Sequence, residues 1–137
     1  MTMERKPCIL LVEDFADARE MYRDYLEFSG FEVKTAANGE EAIGLARQYM
    51  PDLILMDLSL PGTDGWEATR RLKDDPITAR LTIVALSAHT LDAECERARV
   101  AGCDGFIAKP CLPSDLVKQM SAYLDGAVPP DSHRARG

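Results

Sequence analysis

The sequence predicts a doubly wound α/β fold built on a parallel sheet. Short continuous apolar runs alternate along the chain with segments whose apolar residues recur every three or four positions. Most of the runs show no polar alternation, so the strands they form are buried on both faces, as parallel strands are. Crossovers between parallel strands are right-handed, which places helices on both sides of the sheet. The 137 residues are enough for one domain with a full core and too few for two comfortable ones.

Cys8 to Val12 is the first run, stopped by Glu13 and Asp14. Ala18, Met21, Tyr22, Tyr25 and Leu26 then form one apolar stripe on a helix. Ser29-Gly30 closes it, with Gly30 suited to the left-handed position after a helix. Phe31 to Ala36 does alternate, which gives one dry face and one wetter face, and so an edge strand. Asn38 caps the second helix, with Glu41 three residues on. Its buried stripe is Ala42, Leu45, Ala46 and Tyr49, and Pro51 stops it.

Leu53 to Asp57 is a central strand ending on a carboxylate, with a Pro61-Gly62 turn beyond it. Asp64 caps a third helix that turns Trp66, Thr69 and Leu72 inward and ends near Asp74-Asp75-Pro76. Leu81 to Leu86 is the fourth strand and leads into Ser87. Thr90 caps a fourth helix carrying Leu91, Cys95, Ala98 and Ala101, which Gly102 ends. Gly105 to Ala108 is the fifth strand and delivers Lys109-Pro110. Pro113 suits the first turn of a fifth helix, whose stripe is Leu116, Val117, Met120 and Leu124. The domain is expected over residues 1–125, with a disordered tail over 126–137.

Composition excludes several functions. A net charge of -7 argues against direct nucleic-acid binding and against docking on anionic lipid. The first apolar run is too short for a signal-peptide core or a membrane span, so a cytoplasmic protein is expected. Cys8, Cys95, Cys103 and Cys111 form no C-x-x-C pair and read as free thiols.

The strand ends carry the chemistry. In a parallel sheet all carboxyl ends lie along one edge, where open α/β sheets hold their ligands. That edge gathers Glu13, Asp14, Asp57, Ser87 and Lys109, while the alternating edge strand contributes nothing. Three crowded carboxylates need a cation, and hard oxygen donors suit Mg2+, with Mn2+ as an alternative. A lysine and a hydroxyl beside them suit an anion that arrives carrying phosphate. A carboxylate can itself accept a phosphoryl group as an acyl phosphate.

At these residues the chain resembles the receiver domains of two-component response regulators. The motifs are Ile9-Leu10-Leu11-Val12-Glu13-Asp14, Met56-Asp57-Leu58-Ser59-Leu60-Pro61-Gly62-Thr63-Asp64-Gly65, Ala85-Leu86-Ser87-Ala88, and Ala101 through Pro110. The resemblance implies a flavodoxin-like sheet of order 2-1-3-4-5 with five helices. It implies that Asp57 is the phosphoacceptor, supplied by a sensor histidine kinase or a histidine phosphotransfer protein. Glu13, Asp14, Asp57 and the backbone carbonyl of Ser59 would hold the metal, and Lys109 would pair with the phosphoryl oxygens. Ser87 and Phe106 would act as the switch, passing the signal to a downstream protein through the last helix-strand-helix surface. Such a chain catalyses its own phosphorylation and dephosphorylation but serves mainly as a signalling switch. A phosphorelay shuttle, an unphosphorylated scaffold receiver and a flavin-binding electron carrier are the alternatives. The last fits poorly, because Glu13 and Asp14 stand where a flavin phosphate would need donors.

Overall fold

Leu53–Asp57 (β3) is buried at every position and lies in the middle of the sheet. In the computed structural model, which describes residues 6–58, 65–87, 102–108 and 112–124, five strands pair in the order β2-β1-β3-β4-β5. The others are β1 (Cys8–Val12), β2 (Glu32–Ala36), β4 (Ile83–Ser87) and β5 (Gly105–Ala108), and every pairing is parallel. The helices among the described residues are α1 (Ala16–Phe28), α2 (Gly39–Tyr49), α3 (Gly65–Asp74) and α4 (Pro113–Leu124). The helix expected over Leu91 to Ala101, its Thr90 cap, the Asp64 cap and the 126–137 tail lie outside those residues.

The sheet divides the core in two because successive strand side chains face opposite ways. Leu10, Val12, Ile54, Met56, Ile83 and Ala85 pack against Ala42 and Ala46 of α2 and Ala68 and Leu72 of α3. Ile9, Leu11, Leu53, Leu55, Val84, Leu86 and Ile107 pack against Tyr22 and Leu26 of α1 and Leu116 and Met120 of α4. Each large side chain so buried contributes roughly 1.5–3 kcal/mol before the entropy of ordering is charged against it.

The punctuation expected at Gly30 and Asn38 is present. Asn38 Oδ1 accepts from the Glu41 N–H at 2.9 Å, a cap of about 1 kcal/mol. Glu41 reaches back to the Ala37 N–H at 2.7 Å, one residue before the position of an ordinary capping box. At the end of α1 the Gly30 N–H donates to Glu27 O and the Phe31 N–H to Leu26 O, both at 3.1 Å. This is the Schellman arrangement, and it needs the positive φ of 102° that Gly30 adopts. Phe31 and Leu26 share one apolar cluster and fix the exit direction of the chain.

Two side chains expected inside are not. Met21 is 47% exposed, because α1 meets the sheet along the line of Tyr22 and Leu26 and Met21 falls on its rim. Tyr49 is 42% exposed because it is the last residue of α2, a turn beyond the Ala42 and Ala46 contact. Its ring instead lies under the Lys34 ammonium of β2, 4.4 Å from the centroid. The fourth strand also starts later than expected, at Ile83, since the Leu81 N–H turns back to Thr78 O at 3.0 Å.

Candidate metal centre at the carboxyl edge

Pairing of Val12 with both Ala36 and Met56 sets the ends of β1 and β3 level with each other. Glu13 therefore leaves β1 beside Asp57, the last residue of β3. Glu13, Asp14 and Asp57 each bring a carboxylate oxygen within 4.8 Å of the others. Glu13 is 2% exposed and Asp57 1%, whereas Asp14 reaches solvent. Two buried carboxylates this close repel unless protons, donors or a cation compensate them. An all-carboxylate donor set with one solvent-facing member suits a hard divalent ion that keeps part of its water.

Backbone contacts fix the strand ends that carry Glu13 and Asp57. The Glu13 N–H extends the β1–β2 ladder by donating to Ala36 O at 3.0 Å. Past Asp57, the Leu58 N–H donates to Leu86 O at 2.9 Å, so the end of β3 is tied to β4. Gly65 begins α3 directly against this segment. A methyl group there would lie 2.6 Å from Asp57 O and 3.1 Å from Leu58 Cα, inside contact distance of backbone. Arg19 of α1 donates from Nη1 to Glu13 O at 2.9 Å.

Of the other expected site residues, Phe106 lies in β5 opposite Ala85 and packs, partly buried, on the α2–α3 side of the core. Ser87 ends β4 paired with Ala108. The Ser87 side chain and all of Ser59 and Lys109 lie outside the described residues, as do His89 and Cys111. The edge strand β2 contributes no side chain to the acidic group, as its alternating pattern implied. Sequence reasoning gave no role to Arg19 or Gly65. The position of Gly65, a few residues after Asp57 and directly at the start of the third helix, was the available signal for a close backbone approach.

At the opposite edge of the sheet an unforeseen clip joins α3 to β4 and β5. Lys73 Nζ donates to Leu81 O at 2.7 Å, Ala79 O at 3.2 Å and Asp104 Oδ2 at 2.9 Å. The same Asp104 oxygen accepts from the Ile83 N–H at 2.8 Å. Beside it, burial pushes the Cys103 thiol up from 9.0 to about 11. The adjacent Thr69 hydroxyl and Lys73 oppose that rise, and Asp104 adds to it. Between those two pH values the folded chain keeps a proton that the unfolded chain has lost, so stability falls as pH rises through the window. Comparing urea midpoints at pH 8 and pH 11 should show Cys103→Ala losing less than the parent chain, by on the order of 2 kcal/mol. Equal losses in the two proteins would exclude this thiol as the cause. Neither Cys8 nor Cys103 is joined in a disulfide, as expected.

Comparison with known proteins agrees with this architecture. Residues 9–121 match the family model described as the response regulator receiver domain. The chain is 38% identical over 119 residues to the polar-differentiation response regulator DivK of Brucella anthropi, covering 87% of this chain and 97% of the relative. Among solved structures it is similar to a LuxR-family two-component response regulator from Aurantimonas sp., at 35% identity and a TM-score of 0.82. That match covers 90% of this chain and 89% of the other. It is also similar to the receiver domain of a Pseudomonas aeruginosa sensor histidine kinase solved with magnesium coordinated in its active site cleft. There the identity is 31% and the TM-score 0.81, covering 88% of this chain and 99% of the other. The chain belongs to the response regulator receiver domain family, whose members act in two-component signalling through Mg2+-dependent phosphorylation of an aspartate.

Proposed function

We propose that Asp57 accepts a phosphoryl group from a phosphohistidine on a sensor histidine kinase or a histidine phosphotransfer protein. The observation that carries this reading is the convergence of the Glu13, Asp14 and Asp57 oxygens within 4.8 Å at the end of the central strand. An Asp57 carboxylate oxygen attacks phosphorus as the P–N bond to the donor histidine breaks, leaving an aspartyl phosphate and a neutral imidazole once the ring takes up a proton. Glu13, Asp14 and Asp57, with the Ser59 carbonyl, hold Mg2+, and Mn2+ as an alternative. A divalent cation bound there offsets negative charge on the phosphoryl oxygens. The burial of Glu13 and Asp57 keeps bulk water from screening the site, which strengthens that effect.

Lys109 pairs with the phosphoryl oxygens in this reading, and Ser87 and Phe106 respond to them. The added charge biases a two-state surface on the segment that runs from the proposed helix over Leu91 to Ala101, through β5, to α4. A downstream protein reads that surface. The receiver spans residues 1–125, the remainder is a tail, and the chain works in the cytoplasm with its kinase. Among the described residues no helix is long and apolar enough to cross a membrane.

Trp66, the single tryptophan, is the second residue of α3 and packs partly buried beside Gly65. Its fluorescence should change on titration with Mg2+, and beryllofluoride should then bind only when Mg2+ is present. Calorimetry that found neither ligand bound would overturn the reading in favour of a scaffold receiver.

A further inference from the structure

We propose that Arg19 is a positioning residue for the acidic pair, a clamp that sets where the Glu13 and Asp14 carboxylates point. This inference rests on the metal site described under Proposed function. Arg19 sits in the first turns of α1, where its own N–H donates to Phe15 O at 2.9 Å, so the base of the side chain is fixed by the helix. Its Nη1 reaches back across the loop to Glu13 O at 2.9 Å and to Asp14 O at a longer 3.5 Å. Those carbonyls belong to two of the three residues whose carboxylates converge.

Phe15 stands at the N-cap of α1 and supplies no side-chain cap. The Phe15 N–H reaches Glu13 Oε2 only at 3.4 Å, and that carboxylate is needed at the site. The Glu13 N–H is anchored to Ala36 O, and the Arg19 guanidinium takes the carbonyl of the same residue, so Glu13 is held at both of its peptide groups. Both contacts come from Nη1, whose N–H groups are fixed in the rigid guanidinium plane, whereas an ammonium on a flexible stem has no such plane. The short contact orients the Glu13–Asp14 peptide plane, with the longer one guiding the next, and with them the directions in which the Glu13 and Asp14 side chains leave the backbone. A partner that orients a metal ligand in this way typically changes metal affinity by roughly ten- to a hundredfold when removed.

Electrostatics alone makes the opposite claim. A positive charge beside a cation site repels the cation, so deleting it should tighten Mg2+ binding or leave it unchanged. The sign of the effect therefore separates a clamp from a bystander charge.

The test is Mg2+ affinity by calorimetry, with Trp66 fluorescence as a second readout, on the full chain and four variants. Arg19→Ala should weaken Mg2+ about tenfold, and Arg19→Lys, which keeps the charge and loses the planar guanidinium, should weaken it by a smaller factor. Arg23→Ala removes the same charge one turn along α1, where the guanidinium faces Asp24 at 3.4 Å rather than the loop, and should not weaken binding. The metal-free thermal midpoint of each variant keeps a folding defect separate from a loss of affinity. Unchanged or tighter binding in Arg19→Ala, or equal weakening in Arg23→Ala, would overturn the clamp. Asp14→Asn distinguishes the two levels of the reading. If it abolishes Mg2+ binding while Arg19→Ala does not, the clamp alone is wrong; if it leaves binding intact, the acidic site itself is wrong.

Discussion

Asp57→Asn should leave the chain folded and unable to accept a phosphoryl group. Incubation with acetyl phosphate and Mg2+ should label the parent chain with an acid-stable, hydroxylamine-sensitive acyl phosphate, read by intact mass, and should leave the variant unlabelled. The substitution keeps the shape of a side chain that is 1% exposed, so no cavity opens at the end of β3. It removes the anionic oxygen proposed to attack phosphorus and one oxygen of the three-carboxylate group. It also removes one of two buried like charges, since Glu13 lies beside it at 2% exposure. Without Mg2+ the variant should therefore be at least as stable as the parent, by on the order of 1 kcal/mol at neutral pH. Labelling of the variant at the parental rate would remove Asp57 from its assigned role.

Gly65→Ala is expected to act through the same strand end from the other side. In an ordinary helix this change stabilises by a few tenths to about 1 kcal/mol, because alanine is the better helix former. At Gly65 the new methyl would meet Asp57 O at 2.6 Å and Leu58 Cα at 3.1 Å, and neither backbone atom can swing aside as a side-chain tip could. Either the start of α3 lifts away from the sheet or the Asp57–Leu58 peptide moves. The first opens the contacts of Ala68 and Leu72, both essentially buried against β3 and β4. The second turns the proposed acceptor. A net loss of about 1–3 kcal/mol in urea denaturation is expected, with slower labelling by acetyl phosphate in the fraction that remains folded. A gain in stability with unchanged labelling would show that the segment has slack there.

Much of this arrangement could be read from the chain before any coordinates. The unbroken apolar runs at Cys8–Val12 and Leu53–Met56 read as strands covered on both faces, and both strands are buried throughout. The alternation after Gly30 put that strand at an edge, and β2 is at the edge. Once the strands were parallel, the meeting of Glu13, Asp14 and Asp57 followed from their places at strand ends. What escaped depends on distances between residues far apart in sequence. The Lys73–Asp104 clip joins positions 31 apart, and neither residue departs from what a solvated surface would carry. Arg19 sits on a helix rich in charge, where no pattern separates a clamp from an ordinary exposed arginine. Met21 and Tyr49 show the limit of periodicity itself. It marks which residues share a side of a helix but not where along that side the sheet stops.

One consequence follows from how β5 threads the core. Phe106 lies on the α2–α3 side, while Ile107 lies on the α1–α4 side. Gly105 has the Tyr123 ring of α4 so close that a methyl group there would fall 2.2 Å from it. These three residues are consecutive and the strand is only four residues long, so β5 has no length over which to absorb strain. A pull on the carboxyl end of β5 must be felt by both halves of the interior in the same event. Crosslinking Tyr123 to a neighbour on α1 would then slow any rearrangement of Phe106, even though the sheet stands between them.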